Sequence, residues 1–470
     1  MPVVVSDGAA PPSSPDRPLR VAVIGAGPAG IFTADALTQQ TDVPVQIDLV
    51  DRLPTPFGLV RHGIAPDHAK MRAIRETLHR SLDHPSLRFV GNVEIGVDLA
   101  LEDLRAHVDA VVYTYGAALD RKLGIPGEDL PGSLAATELV AWYCGHPDAD
   151  RERVESALAA ARSVVVVGVG NVALDVGRVL ARTPEELEST DMPQHVLDAL
   201  AAAPVEQVTI LGRRGPAQAS FTTQELRELG AMAGATVLVD PADLELDPDS
   251  EERAAADRVV SRNLGVLRGW VENAPEPDRI PLRLRFFSRP ARLLGEGRVT
   301  GLEVERTAVD GDGRAVGTGE VEVLPADLVV RSVGYRGSAL PGLPIDERSG
   351  TVPHDGTGRV LRDGQLSGGE YVAGWIKRGP SGVVGTNKAD ARETVAALLA
   401  DATAGVLRVG GPADDLVSTL QARGAEPVLL EDWRAIDAAE IELGATRGRA
   451  RTTLHEREAL LAAVRAAARR

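Results

Sequence analysis

The chain has 470 residues, 44% of them hydrophobic and 25% charged, with a formal net charge of −17. That length accommodates two or more buried cores. The acidic balance argues against nucleic acid as the main partner, and no apolar run approaches the roughly 18 residues of a membrane span.

The opening residues 1–18, MPVVVSDGAAPPSSPDRP, carry neither a secretory signal pattern nor an Arg-rich organelle-import pattern. They read as a disordered tail on a cytoplasmic protein. From Leu19 the chain runs LRVAVIGAGPAGIFTADAL and then VPVQIDLVD: an apolar strand, a turn with Gly25, Gly27 and Gly30, a helix, and a second strand ending in Asp51. Gly25 permits the tight turn, Gly27 lets backbone approach a pyrophosphate, and Gly30 lets helix and strand pack closely. The helix N-terminus offers open N–H groups to phosphate. An acid about twenty residues further on accepts hydrogen bonds from a ribose, so a dinucleotide site is expected.

A Pro- and Gly-punctuated loop follows, RLPTPFGLVRHGIAPDH, long enough to touch a ligand. Asp67 reads as the N-cap of a helix HAKMRAIRETLHRSL, with His68 as its first residue. On that reading the helix dipole disfavours a charged His68. A strand pair is expected in LRFVGNVEIGVDL, then a helix and an apolar strand up to Gly116. Cys144, the single cysteine, excludes an internal disulfide, a CxxC redox pair and a cysteine-ligated iron–sulfur cluster. It reads as a small core residue.

Near Arg162 the pattern restarts: SVVVVGVGNVALDVGRVLA is a second strand, glycine turn and helix, with Ala173 in the third glycine position. Its next strand, EQVTILGRRGP, ends in Arg213 and Arg214 instead of an acid. An acid there would repel a 2′-phosphate, whereas guanidinium groups match one. At about 1.5–3 kcal/mol per charge-assisted bond, each such contact is worth roughly 10- to 150-fold in affinity, so NADP is expected over NAD. Thr222 and Glu225 form a capping-box pattern. Residues 282–327 read as β-rich, with a hairpin at DGDGR, before the apolar strand LVVRSVGYRG.

The segment EYVAGWIKRGPSGVVGTNKADARETVAALLA reads as strand, tight loop and a helix beginning near Ser381 to Val384. Two dinucleotide folds in one chain suggest two nucleotides brought together, and if the first holds FAD and the second NADPH, a helix N-terminus aimed at the flavin would stabilise its reduced, anionic ring. From Leu416 onward the chain reads as helical, its last thirty residues being an Arg-rich solvated tail or helix face.

Together IGAGPAG, RLPTPFGLVRHGIAPDH, GVGNVALD, RRGPAQASFTTQELREL and GWIKRGPSGVVGTNK, in that order, closely resemble the adrenodoxin-reductase-type ferredoxin–NADP reductases, from about Leu19 to beyond Glu440. The resemblance implies an α/β fold of two Rossmann-like dinucleotide-binding domains. An NADP domain, 120–339, would be inserted in a discontinuous FAD domain, 19–119 and 340–470. It implies FAD contacts from Gly25, Gly27, Ala29, Gly30, Asp51, Leu59, Ile95, Trp375, Gly382, Val383 and Val384. The family more often has glutamate where this chain has Asp51. For NADP it points to Arg121, Asn171, Val172, Ala173, Leu174, Arg213, Arg214, Glu225 and Gly382, so Glu225 carries both a capping and a nucleotide reading.

It also implies an active-site histidine, His68, paired with Glu228. The implied activity is hydride transfer from NADPH to FAD, then single-electron transfers to an iron–sulfur ferredoxin, with cytochromes P450 among the downstream acceptors. No metal is implied. An acidic reductase needs a local basic patch to dock an acidic ferredoxin. Arg258 and Arg262, one helical turn apart and flanked by Arg253 and Arg268, are the candidates. A flavin monooxygenase and a non-catalytic nucleotide sensor are the alternatives; the first lacks an FxGxxxHxxxW-like segment here, and the second would show no turnover.

Overall fold

The structure is a computed structural model and describes residues 17–382, 384–407 and 415–469. The expected disordered tail lies outside these residues except for its last two, and Arg17 donates from its guanidinium to Asp109 Oδ1 at 2.9 Å.

The strands in chain order are β1 (Leu19–Ile24), β2 (Val45–Val50), β3 (Leu87–Val90), β4 (Ala110–Tyr113), β5 (Leu119–Asp120), β6 (Ser133–Ala135), β7 (Ser163–Val167), β8 (Gln207–Leu211), β9 (Ala235–Val239), β10 (Ile280–Arg285), β11 (Ser288–Leu294), β12 (Gly301–Val309), β13 (Ala315–Pro325), β14 (Leu328–Arg331), β15 (Tyr335–Arg336), β16 (Arg359–Arg362) and β17 (Gln365–Val372). One six-stranded sheet has the order β16-β17-β4-β1-β2-β3 and a second has β6-β14-β7-β8-β10-β9. Every pairing in both is parallel except that of β16 with β17.

Burial on both faces explains why the central strands read as unbroken apolar runs. On β1, Val21 and Val23 enter a core with Ile31, Leu37 and Leu398, while Ala22 and Ile24 enter the opposite one with Leu104 and Leu420. On β7, Val164 and Val166 face helices, and Val165 and Val167 pack on Leu293, Leu302 and Val304 of the antiparallel β11-β12-β13 sheet. The chain crosses between the two sheets twice, and at the crossings Leu119–Asp120 pairs with Tyr335–Arg336.

Four local expectations need correction. The helix expected from Asp67 is two pieces, Ala69–Arg72 and Ile74–Leu82, and Asp67 does not cap it. Its carboxylate instead accepts from the buried guanidinium of Arg178, at 2.6 Å from Nε and 3.1 Å from NH2, a stronger charge-assisted partnership than a backbone N–H offers. The strand pair in LRFVGNVEIGVDL is a single strand, β3. Positive φ at Asn92 (58°) and Gly96 (96°) breaks the ladder, and Gly91 pairs with Val428. The helix expected near Ser381 begins at Thr386 and runs to Thr403, after a short turn of helix at Trp375–Arg378. Lastly, the C-terminal arginines are not simply solvated. Arg449 donates to Met192 O at 2.8 Å and Gln194 Oε1 at 2.9 Å, and Arg451 donates to Glu440 Oε2 at 2.8 Å.

Candidate active site

Both glycine turns sit at topological switch points, where the chain leaves a central strand and neighbouring connections diverge. In the first sheet the order β4-β1-β2 opens a crevice at the carboxyl end of β1, and in the second β14-β7-β8 does so at β7. The two turns are built alike. Gly25 (φ 107°) and Gly168 (φ 139°) occupy left-handed backbone, and a Cβ would strike Tyr115 Cα at 2.7 Å in the first case and Ser332 O at 2.2 Å in the second. Each turn therefore packs on the segment following its neighbouring strand.

The helix after the first turn, Pro28–Gln39, has Gly27 as an N-cap without a side-chain hydrogen bond. Ile31 N–H is the first to bond back to Gly27 O, leaving the Ala29 and Gly30 amides as the open donors of this helix end among the described residues. At the second turn the Ala173 and Leu174 amides both bond to Gly170 O, and the side chains of both are buried. Of the four expected contacts there, Asn171 and Val172 hold the open amides. Asn171 Oδ1 itself accepts from Thr222 N–H at 2.8 Å.

Around the first turn the loop after Asp51 folds back, with Phe57 N–H bonded to Ala26 O at 2.8 Å. This brings Gly58 (φ 47°) so close that its Cβ would lie 2.9 Å from Gly27 Cα, a cradle with room for a backbone-hugging phosphate and none for a side chain. Asp51 Oδ2 accepts from Ala26 N–H at 2.7 Å and Oδ1 from Leu53 N–H at 2.9 Å, while burial pushes its carboxyl up. Each oxygen retains a lone pair for a ribose hydroxyl. Leu59 is exposed beside this cradle, and Ile95 is buried with its side chain in the core. The Trp375 turn closes the other side, since a Cβ on Gly374 would meet Ala29 Cβ at 2.5 Å. Trp375 Nε1 donates to Ser381 O at 3.2 Å, which holds the loop carrying exposed Gly382 and half-buried Val384. Val383 lies outside the described residues. These open amides, the glycine cradle and the half-occupied carboxylate fit a dinucleotide.

Arg121 approaches the same region from the second unit, its Nε near Tyr335 O at 3.4 Å, and the Tyr335 ring stacks on Trp375 with centroids 5.8 Å apart. Arg213 and Arg214 follow β8, as expected.

The densest charge cluster lies where the two units meet. His68, from the first, is 5% exposed and reaches three carboxylates of the second: Nε2 is 2.8 Å from both Asp175 Oδ1 and Glu225 Oε2, and Nδ1 is 3.0 Å from Glu228 Oε2. Arg178, its guanidinium fully buried, pairs with Asp67, Asp175 and Glu225. Burial and the adjoining Arg178 guanidinium, which contacts His68 Nε2, oppose charging of His68, but the bonds to Asp175 and Glu225 prevail and raise its pKa to about 10. The histidine is thus cationic at neutral pH, the reverse of what the helix dipole alone would impose. Burial pushes the Glu225 carboxyl up, but His68, Arg178 and the hydrogen bond with Asp175 together hold it below the usual carboxylate range. Its two readings divide between atoms. Its backbone N–H donates to Thr222 Oγ1 at 3.3 Å, as a cap requires, while its carboxylate serves the cluster.

Asp175 and Arg178 were not singled out from the sequence. The available signal was a charged pair three residues apart inside the apolar helix NVALDVGRVLA, where burial demands a partner. Arg258 and Arg262 are exposed on the helix Arg258–Arg268, and Arg262 Nε donates to Arg258 O at 3.0 Å. Cys144 is buried, and burial pushes its thiol up.

Two dinucleotide folds meeting at a charged histidine define a pyridine-nucleotide oxidoreductase of the two-domain flavoprotein class. No family model matches the chain. It is 44% identical to the NADPH-ferredoxin reductase FprA of Mycobacterium tuberculosis, over 93% of this chain and 97% of that protein. It is also 39% identical to the mitochondrial NADPH:adrenodoxin oxidoreductase of Arabidopsis thaliana, over 96% of each. The solved structure of M. tuberculosis FprA in complex with NADPH superimposes with a TM-score of 0.89 at 41% identity, covering 95% of this chain and all of that one. The chain belongs to the NADPH–ferredoxin reductase family. Among the described residues no helix is long and apolar enough to cross a membrane.

Proposed function

We infer that this protein uses NADPH to reduce a ferredoxin through FAD, with the first glycine turn holding FAD and the second NADPH. The observation that carries the reading is the seam itself: His68 of one dinucleotide unit is clamped by Asp175, Glu225 and Glu228 of the other, so two nucleotide sites open onto one junction. Bound there, FAD would supply a ring that accepts one hydride, with its two electrons, and releases those electrons one at a time.

The chain's own residues do the rest. The Ala29 and Gly30 amides face one pyrophosphate and the Asn171 and Val172 amides the other, each at a helix N-terminus. Asp51 takes the flavin ribose. Arg213 and Arg214 take the 2′-phosphate, and Arg121, beside Tyr335, contributes a further charge to the NADPH site. With its pKa raised to about 10, His68 is doubly protonated at neutral pH and sets a positive charge at the seam among Asp175, Glu225 and Glu228. We assign 19–119 and 340–470 to the FAD unit and 120–339 to the NADP unit, a division supported by the β5–β15 pairing at both crossings. Arg258 and Arg262 form the ferredoxin-docking patch, which their exposure supports. A cytoplasmic location is in keeping with a free, buried Cys144.

Anaerobic mixing with NADPH or NADH while following flavin absorbance tests the core of this reading. Fast bleaching by NADPH and slow bleaching by NADH, with the preference lost in Arg213→Ala/Arg214→Ala, is expected. A protein that takes up no flavin, or whose flavin stays oxidised with NADPH, would refute it.

A further inference from the structure

The two arginines after β8 are not alone. The short 3-10 turn Pro216–Gln218 that follows them is bonded to the helix Pro248–Ala256 through Gln218 Nε2, which donates to the buried Ser250 Oγ at 2.8 Å. One residue before Ser250, Asp249 lies against the tip of the β12–β13 hairpin, its Oδ2 3.7 Å from where a Gly311 Cβ would stand. Arg214 extends to the same tip, with NH1 3.5 Å from Gly313 O. Arg253 lies three residues after Ser250 and four after Asp249, which puts it on the helix face that meets both the turn and the hairpin. Burial and the nearby charges of Arg213 and Arg253 lower the pKa of Arg214, in keeping with three guanidinium groups converging there.

The arginines of the adjoining antiparallel sheet are paired. In the same unit Arg285, Arg289, Arg306 and Arg314 each form an ion pair, with Glu322, Glu305, Asp243 and Asp312 respectively. Arg213, Arg214 and Arg253 form none among the described residues. The hairpin's acids are otherwise engaged: Asp312 pairs with Arg314 at 3.0 Å, and Asp310 Oδ1 accepts from the Asp312 and Arg314 backbone N–H groups at 3.1 and 2.8 Å. Three cations beside the Asp249 carboxylate leave a net positive charge that an anion would offset.

We propose that Arg253 is a third specificity-determining residue, closing over the adenosine 2′-phosphate of NADPH from the side opposite Arg213 and Arg214. The assignment rests on the NADPH reading above. It also separates Arg253 from the docking patch, because the helix carrying Arg253 ends before the one carrying Arg258 and Arg262 begins.

The test is equilibrium titration of the FAD-loaded protein with 2′,5′-ADP and with 5′-AMP, for the wild type, Arg253→Ala, Arg253→Lys and Arg213→Ala/Arg214→Ala. Arg253→Ala should bind 2′,5′-ADP about three- to tenfold more weakly, the range for a partly solvated charge contact, with 5′-AMP affinity unchanged. Arg253→Lys should recover part of the loss, and the KM for NADPH should rise in Arg253→Ala with kcat retained. If Arg253→Ala binds 2′,5′-ADP as tightly as wild type while the double variant loses it, the assignment of Arg253 is wrong and the NADPH reading stands. If the double variant also binds 2′,5′-ADP and 5′-AMP as wild type does, both fall.

Discussion

His68 and Asp175 are 107 positions apart in the chain, and His68 Nε2 lies 2.8 Å from Asp175 Oδ1. The contact joins the loop of one nucleotide unit to the helix after the glycine turn of the other, and with Glu225 and Glu228 it keeps the imidazole charged. A folded-state pKa of about 10, above the ordinary 6.5, means that the folded protein holds a proton the unfolded chain releases. The resulting stabilisation is fully present below pH 6.5 and is lost as pH rises through about 10. Because burial and Arg178 offset much of the carboxylates' attraction, we expect about 1–2 kcal/mol. Denaturant midpoints of wild type and His68→Gln should therefore differ most near pH 6 and converge by pH 10; a gap that widens over that range would contradict a charged His68.

Glu440 sits fully buried between Arg61 and Arg451. Its Oε1 accepts from Arg61 NH2 and from Leu454 N–H at 2.8 Å, and its Oε2 accepts from Arg61 NH1 at 3.0 Å and Arg451 NH1 at 2.8 Å. Glu440→Ala would leave the buried Arg61 guanidinium without its carboxylate, while Arg451 keeps Asp437 at 2.7 Å; the uncompensated charge costs about 3–5 kcal/mol. Thermal unfolding should show a large drop in Tm; a variant within about 1 kcal/mol of wild type would mean the site relaxes to admit water.

Gly58→Ala tests the cradle. The residue has φ 47° and ψ −123°, and the added methyl carbon would press on Gly27 Cα at 2.9 Å, where only backbone can yield. Strain of about 1–3 kcal/mol, placed directly on the first phosphate-binding turn, should cost flavin retention more than fold. The readout is the flavin-to-protein absorbance ratio after gel filtration, compared with the far-ultraviolet circular dichroism of the same sample.

Charge reversal at Arg258 and Arg262 should slow ferredoxin reduction about tenfold at low ionic strength and leave NADPH-driven bleaching of the flavin intact. The deficit should fade towards 1 M salt, where the Debye length is about 3 Å. Unchanged ferredoxin turnover and salt dependence would place the docking surface elsewhere.

The two strand–turn–helix units, the acid after the first and the arginines after the second were all legible in the sequence. So were the buried strands and the hairpin at DGDGR. Each rests on residues within about twenty positions of one another, where side-chain period and turn chemistry decide. Boundaries were read less well: the helix near Ser381 starts at Thr386, and the one after Asp67 is broken.

The sequence by itself determined the class of fold, the two nucleotide turns and the chemistry suited to each, because these are written in local spacing. Only the tertiary structure decided which charges meet. It turned Asp67 from a helix cap into a partner for Arg178, split Glu225 between cap and cluster, and drew Arg449 and Arg451 inward to Met192 and Glu440. A buried charge must find an opposite charge wherever the packed chain brings one near, and that proximity is a property of the fold with no counterpart in sequence distance.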